Sequence, residues 1–250
     1  MSDDLQLHVR LRSGDAGRYV LMPGDPGRVE LIARHLDGAR QVASNREYLT
    51  FTGKLEGTPV SVTSTGIGGP STAIAAEELI AVGADTLIRV GTAGSIARDL
   101  RTGDLVVAQA AVRDEGTSLA YVPAAFPATA DLQVVNALVE AARAAGNPFR
   151  AGILRSADAF YADVAPATMP YQPVPLGVWE RAGVLASEME ASTLFTVGSV
   201  RRVRAGAIVA VVNATEETVN TGDVVALSLE PLIATAIDAI RLLIRADAAP

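Results

Sequence analysis

Short apolar runs and longer segments of helical period alternate along this 250-residue chain. Tyr19–Met22, Pro59–Ser64, Leu87–Val90, Leu105–Ala111, Ala151–Arg155 and Ala207–Val212 have strand length and strand-like composition. Arg28–Leu36, Pro70–Val82, Asp131–Ala145, Glu190–Val203 and Leu227–Ile244 carry the helical pattern. Pro70 falls where a first helical turn tolerates it, and Gly83 and Gly146 stand as stops. The alternation predicts an α/β fold: a single domain over residues 1–250 with a central mixed, largely parallel β-sheet flanked by helices. Neither a linker nor a repeat interrupts it. Asp114–Pro127 reads as a loop. Ala162–Gly177, with Pro166, Pro170, Pro173 and Pro175, reads as an irregular segment, either a lid or a surface loop.

Composition narrows the chemistry. The formal net charge of −7 argues against general polyanion binding, so no nucleic-acid partner is expected, and any anion site must concentrate arginines locally. With no cysteine and two histidines, there is no disulfide framework, no thiolate nucleophile and no multi-histidine metal site. The acidic start Met1-Ser2-Asp3-Asp4 is no signal peptide, and the longest apolar run, Ala205–Val212, is far short of a membrane span. A soluble, cytoplasmic protein is the expectation.

Three arginine motifs supply that concentration. Arg89-Val90-Gly91-Thr92-Ala93-Gly94 closes the apolar run Thr86-Leu87-Ile88. An arginine there is costly unless it meets an anion, and a strand ending in a charge and a glycine turn is where open α/β sheets bind ligands. A buried ion pair with Asp85 or Glu47 would also satisfy Arg89. Pro23-Gly24-Asp25-Pro26-Gly27-Arg28 follows the first strand, where glycine amides and an arginine cradle phosphate; as a bare turn it is a structural corner. Ser44-Asn45-Arg46-Glu47 is a polar stretch that by itself reads as solvated surface. Thr65-Gly66-Ile67-Gly68-Gly69-Pro70-Ser71 fits neither a Walker A loop nor a dinucleotide fingerprint. Glu188-Met189-Glu190 opens a helix, where carboxylates either cap or accept hydrogen bonds from a diol.

Taken in chain order, with Ser156-Ala157-Asp158-x-Phe160-Tyr161 between the Arg89 and Glu188 motifs, they resemble nucleoside phosphorylases of the uridine phosphorylase and hexameric purine nucleoside phosphorylase type. They are most similar to uridine phosphorylases, from about His8 to the terminal helix. The resemblance implies a phosphorylase/hydrolase-like fold and phosphate-dependent cleavage of a nucleoside to free base and ribose 1-phosphate. Phosphate is the co-substrate and no cofactor is required. It implies phosphate binding by Gly24, Arg28, Arg89 and Thr92, with Arg46 entering from a neighbouring subunit. Ribose would be held by Met189 and Glu190, and by His8 from the neighbour. Ala93, Gly94, Phe160, Tyr161 and Glu188 would surround the base. Arg28, Arg89 and Glu190 would carry catalysis. Glu47, Ile67 and Ser71 match a monovalent cation site, K+ in some uridine phosphorylases, at the interface of a homodimer. Such dimers usually build hexamers.

The pattern breaks at the base. Uridine phosphorylases read uracil with a Gln-x-Arg pair after the Phe-Tyr motif, and Ala162-Asp163-Val164-Ala165-Pro166 stands there instead. Gln172 follows out of register. The bacterial purine enzymes place a Ser-Asp pair where this chain has Val212-Asn213-Ala214, with Glu216 and Glu217 beyond. The substrate reading is therefore uridine or a related nucleoside, with a purine or 5′-modified nucleoside as the alternative. A catalytically inactive nucleoside-binding protein is the alternative of another class; retention of Arg28, Arg46 and Arg89 speaks against it.

Overall fold

The computed structural model describes residues 5–170, 173–213 and 221–249, with only the backbone described at 164 and 221–228. The elements are β1 Tyr19–Met22, α1 Gly27–Ala33, β2 Asp37–Asn45, β3 Tyr48–Leu55, β4 Thr58–Thr63, α2 Gly69–Ala81, β5 Thr86–Ser95, β6 Leu105–Asp114, α3 Thr117–Tyr121, β7 Ala128–Thr129, α4 Leu132–Ala144, β8 Phe149–Ala157, α5 Phe160–Val164, α6 Leu176–Arg181, β9 Val184–Glu188, α7 Ala191–Arg201, β10 Arg204–Asn213 and α8 Thr221–Ala248. A 3-10 turn, Pro166–Thr168, separates α5 from α6.

The sheet has two parts. β2, β3, β4 and β1 form a wing that joins β5. β5 also pairs with both β10 and β9, and the path β10-β6-β8-β9 returns to it, so these five strands close into a ring. Of the ten pairings among the described residues, five are parallel: β1–β4, β1–β5, β5–β10, β6–β8 and β8–β9. The sheet is mixed as predicted, with a smaller parallel share than the sequence suggests. Two tight hairpins build the wing antiparallel, and β10 runs against β6.

Both faces of β5 and β10 are buried over most of their length, which is why they read as continuous apolar runs. Leu87, Ala207, Val209 and Val211 pack with Leu194, Phe195 and Val197 of α7. Ile88, Val90, Ile208 and Ala210 pack with Val134 and Leu138 of α4 and Ile233, Ile237 and Ile240 of α8. Period-2 alternation therefore puts Arg89 on the α7 side with Leu87. Asp131 caps α4, its Oδ1 accepting from the amides of Gln133 at 2.9 Å and Val134 at 3.1 Å.

The wing hairpin β2–β3 departs from the sequence reading, which took Ser44–Glu47 as a polar stretch. Residues Asn45 and Tyr48 pair across a two-residue turn in which Arg46 has φ 54°. β2 is mostly exposed and its register shifts twice, between Asp37 and Arg40 and between Gln41 and Ala43. The Ala162–Gly177 segment is not structureless: α5, the 3-10 turn and the start of α6 occupy most of its described part.

Candidate active site

A cavity of about 650 Å³ opens where β1, β4, β5 and β10 end, the usual position for a ligand in such sheets. Gly24, Arg28, Gly66 and Ile67 line it from the wing, Arg89 and Gly91–Gly94 from β5, and Ser187–Glu190 from β9 and the start of α7. Phe160 and Val212 complete the wall. Arg28, Arg89, Thr92, Ala93, Gly94, Phe160, Met189 and Glu190 are thus brought together from four different elements or turns.

β5 does not end at Arg89. Val90 to Gly94 continue the ladder with β10, so the Gly-Thr-Ala-Gly run is strand and not turn. The glycine has a different purpose. A Cβ at Gly91 would stand 2.7 Å from Arg89 Nη2 and 2.8 Å from its Cζ. Arg89 folds back across Gly91 on the same face, and only glycine leaves room.

Arg89 is buried, and its partners are neither Asp85 nor Glu47. Asp85 pairs with Arg18 at 2.7 Å. Arg89 Nε donates to Glu188 Oε2 at 2.7 Å and Nη2 to Glu190 Oε2 at 2.5 Å. Each carboxylate also sits on a helix N-terminus. Glu188 accepts from the amides of Glu190 at 2.9 Å and Ala191 at 3.0 Å at the head of α7, and from Ser156 Oγ at 2.5 Å. Glu190 Oε1 accepts from the amide of Gly68, the residue before α2, at 2.6 Å. Gly68 has φ 95° and ψ 170°, a conformation open in practice only to glycine. Glu188 is thus held at the head of α7 and Glu190 at the amide before α2, and both line the cavity.

The resemblance counts Glu188 among the base contacts. Glu188 does line the cavity, but four donors (Arg89, Ser156 and the amides of Glu190 and Ala191) already occupy its carboxylate through five hydrogen bonds. Tyr161 is off the cavity wall. It is 70 % exposed and meets Phe160 edge-on, with ring centroids 5.4 Å apart. Gln172, Glu216 and Glu217 lie outside the described residues.

Electrostatics favours an anion between the arginines. Burial lowers the pKa of Arg28, which Asp25 raises and neighbouring Arg89 lowers again; Arg28 Nη2 reaches Thr92 Oγ1 at 3.4 Å. Burial alone would lower Arg89, but Glu190 and Glu188 outweigh it and hold the group charged. Burial raises Glu190, Arg89 lowers it, and like-charged Glu188 raises it further, leaving it above the usual glutamate value.

His8 and Arg46 do not line this cavity. They form a separate patch, where Asn45 Nδ2 donates to the His8 carbonyl at 2.8 Å and His8 Nδ1 meets Glu78 Oε1 at 2.7 Å. Glu47 and Ser71 flank the Gly66-Ile67 turn. A Cβ on Gly66 would contact Glu47 Cγ at 2.8 Å, and Ser71 Oγ donates to the Ile67 carbonyl at 3.1 Å. Sequence reasoning missed Glu115. Its carboxylate takes the Ser192 hydroxyl at 2.9 Å and the Thr193 hydroxyl at 3.2 Å, pinning the first turn of α7. It also missed Ser187 and Arg155, which no motif marks.

Residues 18–241 match the family described as "Phosphorylase superfamily". The chain is 46% identical to a uridine phosphorylase of Treponema pallidum over 250 residues, covering 98% of this chain and 97% of that one. It is 41% identical to a guanosine phosphorylase of Halorubrum lacusprofundi over 203 residues, covering 81% of each chain. A crystal structure of uridine phosphorylase from Vibrio fischeri ES114 superposes with a TM-score of 0.86 at 34% identity, covering 95% of this chain and 96% of that one.

The Gly91–Arg89 contact is directly testable. Gly91→Ala is expected to displace the guanidinium and weaken inorganic phosphate binding at least roughly tenfold, about 1.4 kcal/mol, in isothermal titration. A dissociation constant equal to wild type would show that Arg89 does not meet the anion.

Proposed function

The chain belongs to the phosphorylase superfamily, and from that premise we propose that it is a nucleoside phosphorylase acting on uridine or a related nucleoside. The observation that carries the reading is the convergence of Arg28, Arg89 and Glu190 on one cavity. Phosphate is co-substrate and nucleophile. One of its oxygens bonds to C1′ of the ribose as the N-glycosidic bond breaks, and the bonding pair leaves with the base. The products are ribose 1-phosphate and free base. The transition state is a ribosyl cation between a departing base and an incoming phosphate, so catalysis is positioning and electrostatics, with no protein nucleophile.

In this reading Gly24, Arg28, Arg89 and Thr92 hold phosphate. Arg89 is paired with Glu190 in the free protein, and the incoming dianion competes for that guanidinium. Glu190 is then available to accept hydrogen bonds from the 2′- and 3′-hydroxyls, with Met189 beneath the sugar. Its charge also suits a cationic ribose. Phe160 packs on the base beside Ala93 and Gly94. The 41% identity to a guanosine phosphorylase keeps purine nucleosides among the substrates to be tried.

His8 and Arg46 do not line their own cavity, and His8 sits beside exposed Leu7. This supports a homodimer in which each subunit lends both residues to its neighbour's site, His8 to the 5′-hydroxyl and Arg46 to phosphate. Ile67, 78 % exposed at the cavity mouth, becomes covered in such a pair. Glu47, Ile67 and Ser71 would there hold K+, and dimers would assemble into hexamers. Among the described residues no helix is long and apolar enough to cross a membrane; we place the enzyme in the cytoplasm as a single catalytic domain over the whole chain.

A panel of nucleosides incubated with and without phosphate tests the activity, with free base as readout. Base release is expected only with phosphate, and release that ignores phosphate would point to a hydrolase. The pH dependence tests Glu190. Its pKa lies above the usual 4.5, so the acceptor carboxylate is lost as pH falls through that higher value. The acid limb of kcat/KM for the nucleoside is expected above pH 4.5, and to move or vanish in Glu190→Gln; an unchanged limb in that variant would assign it to another group. Shared sites predict complementation. A His8→Ala, Arg46→Ala double variant mixed with Arg89→Ala should regain activity in mixed dimers, and silence despite demonstrated subunit exchange would refute sharing.

A further inference from the structure

Beside the base end of the cavity lies a polar cluster that the chemistry above does not use. Arg155 on β8 is buried, its side chain 4% exposed. Its Nε donates to Asp114 Oδ2 at 2.7 Å, and its Nη1 to Asp163 Oδ2 at 2.6 Å and to Ser187 Oγ at 3.2 Å. Trp179 of α6 presents its ring 6.0 Å from the guanidinium carbon. Asp163 and Phe160 share α5, so one guanidinium ties the aromatic wall of the cavity to the sheet. In the ladders, Ser187 stands between Arg155 of β8 and Gly94 of β5; Ser187 and Gly94 both line the cavity.

This arrangement sets the polarity of Ser187. A hydroxyl has one hydrogen to donate and two lone pairs to accept with, whereas a guanidinium only donates. The serine oxygen therefore accepts from Arg155 and keeps its own hydrogen to give. Arg155 cannot readily turn away, because two carboxylates hold it in a planar fork. Burial by itself would lower its pKa, but Asp163 and Asp114 outweigh burial and keep it charged.

On the nucleoside phosphorylase reading, we propose that Ser187 determines base specificity by donating a hydrogen bond to a ring carbonyl of the base. Arg155 is the positioning residue that fixes this polarity. Uracil and guanine present ring carbonyls, and adenine presents an amino group and none. The free hydrogen therefore favours oxo bases over adenine, whose amino group is left only the oxygen's remaining lone pair. It does so without a Gln-x-Arg pair, from a strand position that precedes the ribose-binding glutamate by three residues.

The test compares Ser187→Ala with wild type on uridine, guanosine and adenosine, measuring kcat/KM for each nucleoside and KM for phosphate. Wild type is expected to favour uridine and guanosine over adenosine. The variant should lose about tenfold on those two, the worth of one neutral hydrogen bond, with adenosine and the phosphate KM unchanged within twofold. Ser187→Thr, which keeps the hydroxyl, should restore the preference. If the alanine variant does not fold, Ser187→Cys, a near-isostere with a weak donor, should show the same selective loss. Arg155→Met should copy the selectivity change and shift the emission of Trp179, the one tryptophan of the chain. An equal loss on all three nucleosides, no loss, or a wild-type preference for adenosine would overturn the assignment while leaving the phosphorylase reading intact. Failure of wild type to release base from any nucleoside with phosphate would overturn that reading itself.

Discussion

The structure is organised around one buried cation shared by two buried anions. Arg89, Glu188 and Glu190 are each nearly sealed from water, and desolvating three charges is expensive. The cost is met because each carboxylate terminates a helix: Glu188 accepts from the head of α7 and Glu190 from the residue before α2. Helix dipoles and backbone amides supply what one guanidinium cannot give two anions. The triad thus locks β5, β9, α2 and α7 to a common point, and that point is the floor of the cavity. Fold and site are not separable here, since the same three charges that orient the substrate-facing carboxylate also set the helices against the sheet.

That arrangement leaves a net negative charge within the triad, with Arg28 a short distance away and partly desolvated. With Asp25 also on its wall, the free cavity carries no net positive charge.

Much of this was legible in the chain. Four of the five ring strands and the large helices announced themselves through apolar runs, helical period and glycine stops, whereas β9 did not. Arg89 stood out because charge inside an apolar run needs a reason. What remained hidden depended on distance or on mixed patterns. β2, Asp37–Asn45, is polar on both sides and shows no alternation. The extension of β5 through two glycines depends on β10, more than a hundred residues away. The partners of Arg89 lie 99 and 101 positions along the chain, so local reasoning named Asp85 and Glu47 instead. Arg155 and Ser187 acquire meaning only once β8 and β9 are paired. Ring closure itself has no local signature, since it rests on two ladders that share β5.

Closing that ring also decides how the sheet meets the outside world. It leaves β2 as the long strand with an unpaired side, and a free edge is an invitation to strand-by-strand aggregation. Here the edge is spoiled. Its register slips twice, and Asp37, Arg40 and Gln41 stud it with side chains that an incoming strand would have to desolvate. A second molecule finds no regular row of amides and carbonyls to extend. Among the described residues, this exposed long edge therefore offers little template for strand-by-strand stacking.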